Sequence, residues 1–358
     1  MKIYKLCTGE EVHCYQQSIV VHLGGKRQVL STGALNGGLR NDITAVFNND
    51  GTVGSGMPIP LLAPTYAGHI AALAEKLGLD SQSATGLVTA AQMENVSIQT
   101  VSYKQITVEA MVTAGVEVNG ARVGEPAPWD ELAESMQIGS LGTINIMLFV
   151  NVNLTPDALV RSLVTCTEAK TAALQELLAG SKFSTGLATG SGTDGTIIVA
   201  NRESSLCLEN AGKHCKLGEL IGVAVKAGVK EALLKQTGLG PKQQCNVLRR
   251  VERFGITAEG LWLEFQQNSG AAGHDKAWFW QRVEEVFDDE DLVARVSLYI
   301  HLLDQLNWQL LSESVVCREA AVLLADMLAK ASPDVLDEPI EAVDLIQSLA
   351  RTLVRLLL

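Results

Sequence analysis

Between Gly142 and Asn201 the chain gathers side chains of the types that break amides. Thr143 follows a glycine at the head of an apolar run. Glu168 and Lys170 lie in a helical stretch, and Thr193 and Asp194 close the glycine-rich turn Gly190-Ser191-Gly192-Thr193-Asp194. An amide is a poor electrophile, so its hydrolysis needs an activated nucleophile or water, a donor for the developing oxyanion and a proton for the leaving amine. Thr143 is the candidate nucleophile, and Lys170 and His214 are candidate bases. Asn119 is a candidate oxyanion donor. Glu168 and Lys170 are charged groups on a largely apolar helix, which points to pairing or to work on a substrate. Each has a structural alternative: Thr143 starts a strand, Asn119-Gly120 makes a turn, Glu168 faces solvent, and His214 sits in a surface loop. The turn at 190–194 lacks the Gly-Lys-Ser/Thr ending of a P-loop, so Thr193 and Asp194 are expected as polar substrate contacts. Ser31, Thr32, Asn36, Gly37 and Gly38 form a second polar, glycine-rich segment that either lines a site or turns a hairpin.

These groups must be positioned by a few strongly patterned elements. From Gln105 to Asn119 the residues Ile106, Val108, Ala110, Val112, Ala114, Val116 and Val118 alternate with mostly polar ones. That period predicts a strand with one apolar face on the core and Asn119 at its end. Thr143–Val152 is almost wholly apolar, as a central strand is. Thr155-Pro156-Asp157 supplies a cap, a proline at the first helical position and a first-turn acid, so a helix runs from there to about Leu178. Thr167, Lys170, Thr171 and Leu174 share one of its faces, with Glu168 beside it. Residues 185–195 read as a loop and Thr196–Ala200 as a strand. Helices are expected at Tyr66–Leu77 and Lys216–Lys235, the second with a buried stripe of Leu217, Leu220, Ile221, Ala224, Val225 and Val229.

The composition changes near Gly238-Leu239-Gly240-Pro241, a linker signal. Residues 1–240 are rich in glycine, threonine and β-branched runs, and residues 245–358 in leucine, glutamate and arginine. The expected fold class is α+β, with mixed sheets packed with helices, for which an αββα sandwich is one arrangement, plus a C-terminal all-helical region. Helices are expected near 276–287, 290–310, 314–330 and 340–358, punctuated by Asp288-Asp289, Ser312 and Ser332-Pro333. Trp262, Trp278, Trp280 and Trp308 are expected to fill the core of this region.

A net charge of −12 over 358 residues argues against nucleic acid or an anionic membrane as partner, since both need a basic surface. Met1–Val12 has no long apolar run, and Glu341–Leu358 is amphipathic, which predicts a cytoplasmic protein without a membrane span. Seven scattered cysteines fit a reducing compartment. His13, Cys14, Cys207, His214 and Cys215 lack a recognised zinc spacing, so no metal is expected.

Several segments together resemble the adenosylcobinamide amidohydrolase family of corrinoid salvage. They are STGALNGG (31–38), VTAGV (112–116), NGARVG (119–124), GTINI (142–146), TEAKTAAL (167–174), TGSGTD (189–194) and HCKLGELIG (214–222). The match covers roughly 30–235, making residues 1–240 an amidohydrolase-like domain and leaving 245–358 as a helical domain without a role. The resemblance implies hydrolysis of the aminopropanol amide of adenosylcobinamide to adenosylcobyric acid. Thr143, Asn119, Glu168, Lys170 and His214 would then be catalytic, and the 31–38 segment, Thr193 and Asp194 would bind the corrinoid. No cofactor is then required. Cobalt arrives inside the substrate, a small-molecule corrinoid, with His214 open to a role as its ligand. A more distant similarity, over GTINIM, the helix after Thr155 and GSGTDGTIIVA, is to the self-cleaving aminopeptidase and ornithine acetyltransferase superfamily. It implies Thr143 as a nucleophile preceded by a cleavable glycine bond, whose freed α-amine would serve as base. Two alternatives stay open at this point: a non-catalytic corrinoid-binding or regulatory protein, and an acyltransferase. The extra helices leave a homo-oligomer open as well.

Overall fold

Thr155 caps the predicted helix by accepting a hydrogen bond from the Ala158 amide, and Pro156 occupies its first position. The computed structural model describes residues 1–53, 57–58, 60–127, 142–267, 273–329 and 345–358. They divide into two units, one of 1–183 with 187–240 and one of 184–186 with 241–358.

The strands of the first unit's two main sheets are, in chain order, β1 (Lys2–Lys5), β2 (Glu11–Tyr15), β3 (Ser18–His22), β4 (Arg27–Ser31), β5 (Gly38–Arg40), β6 (Ala45–Asp50), β7 (Ala84–Thr89), β8 (Ser97–Tyr103), β9 (Ile106–Ala114), β10 (Ile144–Val150) and β11 (Gly195–Asn201). One sheet has the order β1-β2-β3-β6-β7 and the other β8-β9-β10-β11-β4-β5. The helices are α1 (Tyr66–Lys76), α2 (Pro156–Glu176) and α3 (Lys216–Thr237). Ile70, Leu73 and Ala74 of α1 pack on Val20, Ala45 and Phe47 of the first sheet. Val46 and Leu87 meet Met111, Met147, Ile197 and Val199 between the sheets. Leu159, Cys166 and Ala173 of α2 and Leu220, Ala224 and Val225 of α3 cover Val108, Val112, Ile146 and Ile198 on the far face of the second sheet. The layers therefore run αββα, and the fold is α+β as expected.

Each sheet holds one parallel pair, β6 with β7 and β10 with β11. In each pair the helix between the strands, α1 or α2, returns over the outer face, as a parallel connection requires. These two units differ from the sequence expectation, in which no simple βαβ alternation was visible. The alternating strand is shorter than expected and buried on both faces. Its even residues face α2 and α3, while Glu109, Met111 and Thr113, each no more than 2% exposed, face the other sheet. Glu109 is tolerated there because it accepts from the Tyr4 hydroxyl at 2.9 Å and the Cys7 amide at 3.0 Å.

Gly238, at φ 76°, ends α3 with a left-handed cap whose amide donates to the Leu234 carbonyl. The second unit follows as helices at Pro241–Gln244, Val247–Val251, Ala258–Gln266, Lys276–Phe287, Glu290–Asn307, Glu313–Ala329 and Leu345–Leu357. The first three were not anticipated. Ser332-Pro333 and residues 340–344 lie outside the described residues. Phe265, Phe279, Phe287 and Tyr299 fill this core, with Trp262, Trp278 and Trp280 packed against them. Trp308 does not: it caps the C-terminus of the 290–307 helix and is 46% exposed. Arg253 and Asp304, with side chains 8% and 11% exposed, form a two-pronged ion pair at 2.7 and 2.6 Å. Among the described residues no helix is long and apolar enough to cross a membrane.

Gly86 pairs with Phe47 in the parallel register, and a Cβ at Gly86 would overlap the Phe47 ring. Phe47 is fully buried, so the ring has nowhere to go. Gly86→Ala is expected to lower stability by about 2 kcal/mol through overpacking, read as a reduced guanidinium unfolding midpoint.

Candidate functional site

Because β10 and β11 run parallel, the residues just before each strand meet at one end of the sheet. Asn145 lies opposite Gly195 in the register. Thr143 and Thr193, 50 residues apart, are brought to 2.6 Å between hydroxyl oxygens. A third segment joins them. After β9 the chain leaves the sheet at Gly115 and turns, with the Gly120 amide bonded to the Val116 carbonyl at 2.9 Å. Gly120–Ala121 then pairs antiparallel with Gly190–Ser191. Asn119 is thus carried in that turn and not at a strand end, because the strand stops at Ala114.

All three side chains converge on the peptide bond between Gly142 and Thr143. The Gly142 carbonyl accepts from Asn119 Nδ2 at 2.5 Å and from Thr193 Oγ1 at 2.9 Å. A carbonyl oxygen only accepts, so the Asn119 atom beside it is the amide nitrogen. The same logic orders the hydroxyls. Thr193 has one proton and gives it to Gly142, so the contact with Thr143 runs from Thr143 to Thr193. Thr143 Oγ1, Thr193 Oγ1 and the Gly142 carbonyl oxygen form a directed chain. Thr143 and Asn119 are 2% and 6% exposed, whereas Thr193 is exposed, so the group is buried on the Thr143 side and open to water on the Thr193 side. Asn119 Oδ1 is buried without a hydrogen bond and faces the Gly142 Cα, where any Cβ would overlap it.

Asp194 and Lys170 stand behind this chain. Asp194 Oδ1 accepts from the Ile144 amide at 2.9 Å and from Ser191 Oγ at 2.6 Å. Its Oδ2 accepts from the Ser191 amide at 3.0 Å and from Lys170 Nζ. The carboxylate's acceptor sites are filled from within the chain, so Asp194 is not placed as the substrate contact the sequence suggested. Lys170 lies on the buried face of α2 and donates into this ion pair.

Glu168 and His214 do not join the group. Two helical positions differ by about 200° in direction, so with Lys170 turned inward Glu168 turns outward, where it pairs with Lys213 at 3.0 Å. His214 is exposed in the turn before α3. The 31–38 segment forms the turn of the β4–β5 hairpin. Ser31 bonds Thr85 at 2.9 Å, and the Asn36 amide donates to the Ser81 and Ala84 carbonyls at 2.9 and 2.7 Å. Asn36 and Gly38 take positive φ, and Gly37 packs on the Gly33 carbonyl. Thr32 Oγ1 accepts from the Thr196 amide at 2.9 Å, beside the start of β11. Cys166, one turn before Lys170, is a poor nucleophile because burial pushes its thiol up to about 12. Among the described residues no three His, Cys, Asp or Glu side chains gather as a metal centre.

The sequence profile described as adenosylcobinamide amidohydrolase matches residues 3–241. An uncharacterized protein of Methanocaldococcus jannaschii is 32% identical over 233 residues, 62% of this chain and 87% of that protein. An adenosylcobinamide amidohydrolase of Methanosarcina mazei is 29% identical over 231 residues, 62% of this chain and 97% of that protein. The match takes in the αββα unit and every residue of the Thr143 group, and with it the chain belongs to the adenosylcobinamide amidohydrolase family.

Proposed function

We propose that the protein hydrolyses the aminopropanol amide of adenosylcobinamide to adenosylcobyric acid, in corrinoid salvage, with Thr143 as nucleophile. Family membership supports the reaction class. The observation that carries the residue assignment is the Gly142 carbonyl, held by Asn119 Nδ2 and Thr193 Oγ1 beside the Thr143 hydroxyl. A substrate carbonyl in that position meets two oxyanion donors and a nucleophile together. Thr143 Oγ1 attacks the amide carbon, and its proton leaves toward Thr193. Asn119 Nδ2 and the Thr193 hydroxyl hold the oxyanion. Collapse expels aminopropanol as the neutral amine, its nitrogen taking the Thr143 proton relayed through Thr193, and leaves an ester on Thr143, which water hydrolyses to the free acid. Cobalt is part of the substrate in this scheme.

Thr143→Ala is expected to lower turnover of adenosylcobinamide more than about a thousandfold, with corrinoid binding retained in the visible spectrum and Thr143→Ser keeping activity. Mass spectrometry of the corrinoid product is the measurement. Binding by the wild type without turnover would instead fit a corrinoid-binding protein.

The carbonyl now in the two-donor cradle belongs to the chain itself, which favours a second step. Attack of Thr143 Oγ1 on Gly142 would move the acyl group from nitrogen to oxygen, and hydrolysis of that ester would free the Thr143 α-amine as a base for later turnovers. The expected result is two fragments, 1–142 and 143–358, in the mass spectrum of the purified protein. Thr143→Ala should give one chain. A single intact wild-type chain with full turnover would leave the Gly142 carbonyl in the cradle and overturn both the α-amine as base and the cradle as the oxyanion site.

A further inference from the structure

Lys170 and Asp194 form an ion pair beside the Thr143 group, and their geometry gives them a task other than contact with substrate. Three segments meet on the Asp194 carboxylate: the first amide of β10, the Ser191 turn and the buried face of α2. Ile144, whose amide it holds, directly follows Thr143, and Asp194 itself directly follows Thr193. One carboxylate therefore fixes both backbones from which the two reacting hydroxyls project. Their 2.6 Å separation is set by how far apart the carboxylate holds those backbones. The pair's side chains are 11% and 14% exposed, so water competes weakly for the amide bonds. Gly190 completes the fit, since a Cβ there would overlap both Asp194 Oδ2 and Lys170 Nζ.

We propose that Lys170 and Asp194 are positioning residues that set the distance between the Thr143 and Thr193 hydroxyls and do not touch the substrate. This inference rests on the reading of Thr143 as nucleophile. Lys170 neutralises the carboxylate, and the carboxylate clamps Ile144 and Ser191. Ser191 extends the clamp, because its Oγ also accepts from the Thr193 amide at 3.3 Å.

The test compares Asp194→Asn and the milder Ser191→Ala with the wild type in the full chain. Turnover of adenosylcobinamide and residue-resolved hydrogen exchange are the two readouts. Positioning predicts a kcat about 100-fold lower in D194N, the size of effect that ångström-scale misplacement produces, with KM within about twofold. It also predicts an Ile144 amide that exchanges at least about tenfold faster, because a carboxamide offers one acceptor oxygen where four donors converge. S191A should move both readouts in the same direction by less. A raised KM with kcat kept and Ile144 protection unchanged would mean substrate contact and overturn the proposal. If D194N does not fold, unchanged kcat and unchanged Ile144 exchange in S191A overturn it equally. A wild type without turnover sinks the proposed reaction but not the clamp, which the Ile144 amide then decides alone.

Discussion

Two parallel strands in register must begin at the same end of their sheet, and most of the candidate site follows from that constraint on β10 and β11. Thr143 precedes one strand, and Thr193 and Asp194 precede the other. The connection between parallel strands must cross the sheet, and here it is α2, which brings Lys170 back over the far face to the same end. The two threonine hydroxyls, the carboxylate and the ammonium are thus delivered by one βαβ unit. Only Asn119 comes from outside it, on the turn after β9, the antiparallel neighbour of β10.

The two-sheet layer places a second demand on this end of the molecule. Polar side chains facing the other sheet have no water to bond with, and each must find a partner there. Asn48 of β6 donates to Thr113 of β9 at 2.8 Å and accepts from Asn145 of β10 at 2.8 Å. Asn145 also donates to the Val88 carbonyl at 3.1 Å. These bonds cross between the sheets directly beneath Thr143. Glycines allow the approach: a Cβ at Gly195 would lie 2.7 Å from the Leu87 side chain, and one at Gly33 would lie 2.6 Å from the Gly86 carbonyl. The start of β10 is therefore held sideways by Asp194 and from below by Asn48, which leaves Thr143 little freedom to drift from Thr193.

Much of this was legible in the sequence where the signal is local. Thr155-Pro156-Asp157 marks a helix start by cap chemistry alone, and the apolar run after Thr143 marks a central strand by composition. The buried stripe of α3 follows from its period. What escaped depends on distant partners. Glu168 and Lys170 look equivalent two positions apart, and only the contact with Asp194 says which faces inward. Thr193 and Asp194 read as open polar contacts because nothing local reveals that Ile144 and Gly142 take up their bonding capacity. Valines continue the alternation through Val118, which makes Asn119 look like a strand end. Gly115 and the bond from Gly120 to Val116 bend the chain earlier. Trp308 suits a core by residue type, but it closes a helix end and is left 46% exposed.

Few groups around Thr143 are left free to do chemistry. Asp194 has spent its acceptor sites on four internal donors, and Lys170 donates into that set. Glu168 is committed to Lys213 at the surface, and the Cys166 thiol is held protonated by burial. What remains is two hydroxyls and one carboxamide: Asn119 and Thr193 bond the Gly142 carbonyl oxygen, and Thr143 bonds Thr193. Neutral groups stabilise an oxyanion by hydrogen bonds that are fixed before charge develops, so they are effective only while their spacing is enforced. A site of this kind needs its charges one layer back, holding the backbone, and that is where Lys170 and Asp194 stand.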